Sequence, residues 1–215
     1  MAFEETMANC TEGSLPANAN QRSAERLNLM IRAAKLIGPS GEFLCIIRDV
    51  SEAGIRVKAL SALPDDEHLK LELANGSRFE IGRVWNNETE AGFRLNTPID
   101  VPAFVAERSH HPKCAVRLRV ECPATISANG VTTEAAICDI SRQCARIRTT
   151  GQLALRQEVT LSAFGIGTLR ATVQWRDRPF YGLVLREIFS LEELARTVAA
   201  IHLPQESNKM NRSVR

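Results

Sequence analysis

The chain has no Cys-x-x-Cys pair, and no histidine stands at zinc-ligand spacing from Cys10, Cys45, Cys114, Cys122, Cys138 or Cys144. That removes the usual sequence grounds for a zinc site or a dithiol redox centre. No uninterrupted apolar run approaches the roughly 20 residues of a membrane-spanning helix. The first residues, Met1-Ala2-Phe3-Glu4-Glu5, are acidic and lack the basic-then-apolar order of a secretory signal. A net charge of +2 offers no general case for a nucleic acid or a membrane surface as partner. Gly165-Ile166-Gly167 lacks the strand-before, helix-after setting of a dinucleotide motif. Spacing reveals no nucleophile with a base and no paired carboxylates. The expectations are a cytoplasmic chain that is not membrane-integral and not an enzyme, with no metal or cofactor and no DNA or RNA partner.

Lysine is also scarce, 5 against 22 arginines. The excess reads either as genome composition or as a supply of planar guanidiniums, which pair with phosphates and base edges in a way an ammonium cannot. With 44% hydrophobic and 24% charged residues, the 215-residue chain has the composition of a globular protein of one large or two small domains.

Residues 1–20 read as a flexible leader and 204–215 as a disordered polar tail. From Leu27 the chain breaks into short β-like segments divided by turn signals. Leu27–Ile37 and Glu42–Val50 flank Gly38-Pro39-Ser40-Gly41. Ile55-Arg56-Val57-Lys58 and Leu69–Leu73 alternate apolar and charged residues, Asn75-Gly76 marks a tight turn, and Phe79–Trp85 and Ala91–Leu95 complete six strands. Asp100–Arg108 reads as a short helix capped by Asp100. Residues 109–112 form a link through His110-His111-Pro112. The same order then returns: Leu118–Ile126, Thr132–Ile140, Ala145–Arg148, Glu158–Leu161, Thr168–Trp175 and Tyr181–Leu185. A longer helix opens at Ser190 and shows Leu191, Leu194, Val198 and Ile201 on one face.

Asp49 and Asp139, Ser51 and Ser141, Gly54 and Cys144, Trp85 and Trp175, and Gly92 and Gly182 are each separated by 90 residues. Five ungapped correspondences in the same segment order, four of them identities, indicate a tandem duplication. The expected fold is mainly β. It consists of two tandem six-stranded antiparallel barrels over residues 21–108 and 113–203, each followed by a helix, the C-terminal one longer.

Two features could carry chemistry. Arg22 and Arg26 stand four apart before the first strand. In Asp49-Val50-Ser51-Glu52-Ala53-Gly54 a carboxylate can accept from the N1–H and N2–H edge of guanine, a hydroxyl can donate or accept, and a glycine admits close approach or a positive φ. Each alone also has a plain reading, as a solvated charged link and as an Asp/Ser turn between strands.

Taken in order, Arg22-x-x-x-Arg26, Asp49-x-Ser51-x-x-Gly54, Trp85 and Gly92-Phe93 resemble a PilZ domain, the bacterial receptor module for cyclic di-GMP. The resemblance implies a six-stranded barrel with a C-terminal helix. It also implies that Arg22 and Arg26 engage ligand phosphates and a guanine, that Asp49 and Ser51 hydrogen-bond a guanine edge, and that Gly54 leaves room for the base. The second copy has Lys113-x-x-x-Arg117 for the arginine pair and Cys144 for the glycine. A point charge and an added Cβ should weaken or abolish binding there, leaving packing, homodimer formation or partner contact as that copy's work. The expected function is a cyclic di-GMP receptor that changes conformation, or its contacts with a downstream protein, on binding. The alternative is a nucleotide-independent adaptor built from two barrels. Trp85 and Trp175 are expected in the cores, the histidines on exposed loops or helices, and a Cys138–Cys144 redox pair is set aside.

Overall fold

The computed structural model describes residues 27–106 and 116–203. Alternation becomes strand wherever a closed sheet can bury one face, as in Leu118, Val120, Cys122, Ala124 and Ile126 of the seventh strand. The first barrel comprises β1 (Leu27–Gly38), β2 (Gly41–Ser51), β3 (Gly54–Ala59), β4 (His68–Glu72), β5 (Arg78–Asn86) and β6 (Glu90–Leu95). Its strands close in the order β1-β2-β3-β6-β5-β4, and β1 pairs back to β4. The second comprises β7 (Leu118–Ala128), β8 (Val131–Ile140), β9 (Cys144–Thr149), β10 (Glu158–Ala163), β11 (Gly167–Asp177) and β12 (Phe180–Leu185), with the same connectivity and antiparallel pairing throughout. The two six-stranded barrels expected from the repeat are therefore present, each followed by a helix. Turn chemistry agrees: Asn129 and Gly130 both adopt positive φ, 52° and 80°, between β7 and β8.

Helix α1 (Val101–Ala106) begins where Asp100 accepts the Ala103 amide at 2.9 Å. At its other end Arg32 donates to the carbonyls of Phe104 and Val105. Helix α2 (Leu191–His202) starts with a reciprocal cap, in which the Ser190 hydroxyl accepts the Glu193 amide and the Glu193 carboxylate accepts the Ser190 amide. It buries Leu194, Ala195, Val198 and Ala199. No helix among the described residues is long and apolar enough to cross a membrane.

Two irregularities recur at matching places in both barrels. One lies between Ile47 and Asp49, repeated between Ile137 and Asp139. Another lies between Arg83 and Trp85, repeated between Val173 and Trp175. Along β2 the core residues run Phe43, Cys45, Ile47, then Val50. The extra residue shifts the two-residue phase and turns Asp49 and Ser51 to the outer face. The same device corrects the expectation for the tryptophans. Trp85 shares parity with Ile81, yet the bulge swings it out of the core, leaving it 42% exposed, and Trp175 follows suit.

The barrels meet across a polar seam. Lys35 of β1 donates to Glu42 at 2.9 Å and pairs with Glu72 at 3.0 Å, and it also donates to the Arg117 carbonyl at 3.1 Å. Glu42 accepts the Arg119 amide at 2.8 Å. Around this cluster α2 lies against β2 and β7, with Leu44 and Leu60 packing into the second core and Ala199 into the first. His202 is not an exposed helix residue as expected. It is half-buried, its ring lies 5.7 Å from that of Phe43, and its Nε2 donates to the Arg119 carbonyl at 3.0 Å.

Two groups at this seam set an acid dependence. Burial pushes the His202 imidazole below its ordinary value near 6.5, against the opposing pull of the Arg119 carbonyl and Glu42. Burial raises the Glu72 carboxyl, but hydrogen bonds from Arg78 and Lys35 outweigh it and hold that group below the ordinary carboxylate range. Both groups bind fewer protons folded than unfolded, so both contribute stability at neutral pH that is lost on acidification. Stability should first fall as pH drops below about 6.5, where unfolded histidine takes its proton. It should fall again as Glu72 protonates. Denaturation midpoints of wild type and His202→Phe across pH 5–8 check this: the variant should lack the first decline.

Candidate ligand-binding site

Arg22 and Arg26 lie outside the described residues. The structure brings the other three named residues together. Asp49 and Ser51 occupy the end of β2, Glu52-Ala53 makes the turn, and Gly54 opens β3 opposite Ser51. The stretch is a turn between two strands, as its plain reading has it, with Asp49 and Ser51 themselves standing on β2 and held by its ladder. The Ser51 hydroxyl donates to the Gly54 carbonyl at 3.2 Å. Of the two readings of Gly54, close approach or a positive φ, the structure leaves the first: Gly54 is not among the residues that adopt a positive φ. Its missing Cβ matters sterically, since an added one would stand 3.1 Å from the Phe93 carbonyl oxygen.

Asp49 is 3% exposed and does not stand alone. Arg56, its direct cross-strand neighbour on β3, places Nε 2.6 Å from Asp49 Oδ2, and its far end reaches Glu90 at 3.4 Å. In the next register positions Arg56 faces Gly92 of β6, and Gly92 faces Trp85 of β5. Asp49, Arg56, Gly92 and Trp85 therefore form one row across the outer surface. A Cβ on Gly92 would overlap the indole nitrogen of Trp85, so the glycine is the seat in which the ring lies. Gly92→Val should unseat the indole, costing about 1–3 kcal/mol by overpacking. A shifted tryptophan emission in the Trp175→Phe background would report it, and an unchanged spectrum would oppose it.

The second barrel repeats the row as Asp139, Arg146, Gly182 and Trp175. Here both carboxylate oxygens are engaged, with Arg146 Nε 2.7 Å from Oδ2 and Arg117 donating to Oδ1 at 2.9 Å. The Ser141 hydroxyl donates to the Cys144 carbonyl and accepts the Cys144 amide. Phe180 replaces Glu90 and lies under the Arg146 guanidinium, 5.7 Å from it.

Arg56, Gly92 and Trp85 were not named for the site from the sequence. The signal was present in the 90-residue offset, since Arg56 and Arg146 also match, but it read only as strand alternation. The described cysteines, Cys45, Cys122, Cys138 and Cys144, are free thiols, and burial pushes Cys45 up to about 12, which makes it inert. No group of three or more metal-ligating side chains occurs among the described residues.

No family model matches the chain, and no curated relative does. Among solved structures it is similar to the PlzA protein of Borreliella burgdorferi in complex with c-di-GMP, at 10% identity over 80% of this chain and 87% of that one, with a TM-score of 0.32. The Bacillus subtilis inhibitor of motility (MotI/DgrA) is 12% identical over 85% and 99% of the two chains, TM-score 0.34. Escherichia coli YcgR in complex with c-di-GMP is 9% identical over 76% and 80%, TM-score 0.31. At these values the likenesses carry no argument about residues or function, which rest on the geometry above.

Proposed function

We propose that the chain is a cyclic di-GMP receptor, binding through the first barrel with Asp49 and Ser51 on a guanine edge, Gly54 beneath it, and Arg22 and Arg26 on phosphates and base. The observation that carries the proposal is the matching carboxylate of the second barrel. Asp139 there holds Arg117, a planar N–C–N group with donors on its edge. Guanine presents the same N–C–N edge through N1–H and N2–H, so an outward-turned carboxylate braced from behind by an arginine suits it. In the second barrel that place is taken by the protein's own side chain, which supports the first barrel as the binding one.

Asp49 is buried, so binding includes a local opening that frees its Oδ1 edge. Strand β2 carries Asp49 and Ser51 at one end and Glu42, at the seam with the second barrel, at the other. A shift at the site thereby has a path to the contact between barrels, and the output would be an altered surface offered to a protein partner. Titration of the purified chain with cyclic di-GMP by calorimetry tests this. Saturable heat at micromolar ligand is expected. Its absence at tens of micromolar would leave the nucleotide-independent adaptor.

A further inference from the structure

Asp49 cannot discriminate a base alone, because an unbraced carboxylate rotates and offers its oxygens in any direction. We infer that Arg56 is a positioning residue that sets the guanine specificity of this site, an inference that rests on the reading of the first barrel as the nucleotide-binding one. Arg56 meets Asp49 through ladder register and not by chance of side-chain reach, since the two are Cα partners immediately after the bulge. The second barrel builds the same pair, Asp139 with Arg146, from the same register. At 2.6 Å Arg56 Nε makes a charge-assisted hydrogen bond to Asp49, whereas Arg146 Nε stands 2.7 Å from Asp139 as an ion pair without hydrogen-bond geometry.

The consequence is geometric. Nε of Arg56 takes Oδ2, which fixes the carboxylate plane and leaves Oδ1 as the edge for an incoming donor. The second barrel displays that division of labour, with Arg146 on Oδ2 and Arg117 arriving at Oδ1. A charge-paired carboxylate is an acceptor only. It suits the N1–H and N2–H donors of guanine and opposes the N1 lone pair of adenine. Glu90 stands 3.4 Å from Nη1 at the far end of the Arg56 guanidinium, which limits that side chain's freedom to turn away from Asp49.

The full chain is titrated with cyclic di-GMP and cyclic di-AMP as wild type, Arg56→Ala, Arg56→Lys and Arg146→Ala, each checked by circular dichroism and thermal melting. Wild type should prefer the guanine ligand. Arg56→Ala should lose at least about tenfold in cyclic di-GMP affinity and narrow the preference, because a free carboxylate no longer presents one edge. Arg56→Lys should restore affinity in part but not the preference, since a point charge cannot fix a plane. Arg146→Ala should match wild type. A folded Arg56→Ala protein with wild-type affinity and preference overturns the inference, and so does a loss of affinity with the preference intact. If Arg56→Ala does not fold, Arg56→Lys decides, and wild-type preference in it overturns the inference. A wild type that binds neither nucleotide removes the reading of the site itself, an outcome distinct from these.

Discussion

Lys35→Ala is expected to destabilise the chain by about 3–5 kcal/mol, the cost of leaving buried carboxylates without their cation. Lys35 and Glu42 are nearly excluded from solvent, and the ammonium is shared among Glu42, Glu72 and the Arg117 carbonyl. Removing it sets two carboxylates against each other in a low-dielectric seam. Glu72 keeps Arg78, but Glu42 is left with the Arg119 amide and the more distant Arg119 side chain. The matching exposed pair is the control. Lys70 stands 2.8 Å from Glu80 with both side chains about half exposed, and Lys70→Ala should cost no more than about 1 kcal/mol. Burial, not distance, decides the difference. Urea denaturation should show the large loss, and exchange of the Arg119 amide should accelerate as the seam opens. A loss below about 1 kcal/mol for Lys35→Ala would mean that the cluster is solvated and does not join the barrels.

Asp49→Ala should weaken cyclic di-GMP binding by about 1.5–3 kcal/mol, the worth of hydrogen bonds to a charged group, or about ten- to 150-fold. Asp49→Asn should do nearly as badly, because the amide has a single carbonyl oxygen: whichever of guanine and Arg56 it accepts from, its NH2 opposes the donors of the other. Asp139→Ala, which frees Arg117 in the second barrel, should change affinity by no more than about twofold. Arg22→Ala should also weaken binding, and differently. A phosphate contact is screened by salt, so its penalty should shrink as ionic strength rises, whereas the Asp49 penalty should persist. Calorimetry at two salt concentrations separates them. Equal affinities for wild type and Asp49→Ala would place the nucleotide elsewhere.

Much of this was legible along the chain because it is local. Apolar alternation, the Asn75-Gly76 and Asn129-Gly130 turns and the Ser190–Glu193 cap depend on residues a few positions apart. The duplication was legible because a fixed offset survives sequence drift. Asp49, Ser51 and Gly54 could be picked out as a motif, yet their setting could not. A period-two reading has no means of seeing one inserted residue, and the bulges before Asp49 and Trp85 reverse which face each side chain takes.

Arg56 became part of the site only when β3 was placed between β2 and β6, which set it beside Asp49 on one side and Gly92 on the other. The seam depended on a still longer range. Lys35, Glu42 and His202 are unremarkable as sequence, and their roles come from two barrels meeting around α2. Thus the chain's local periods settled the kind of fold and the repeat. Closure of the sheets and the docking of the barrels settled which charges face each other, because ion pairing depends on distance in space and not on separation along the chain.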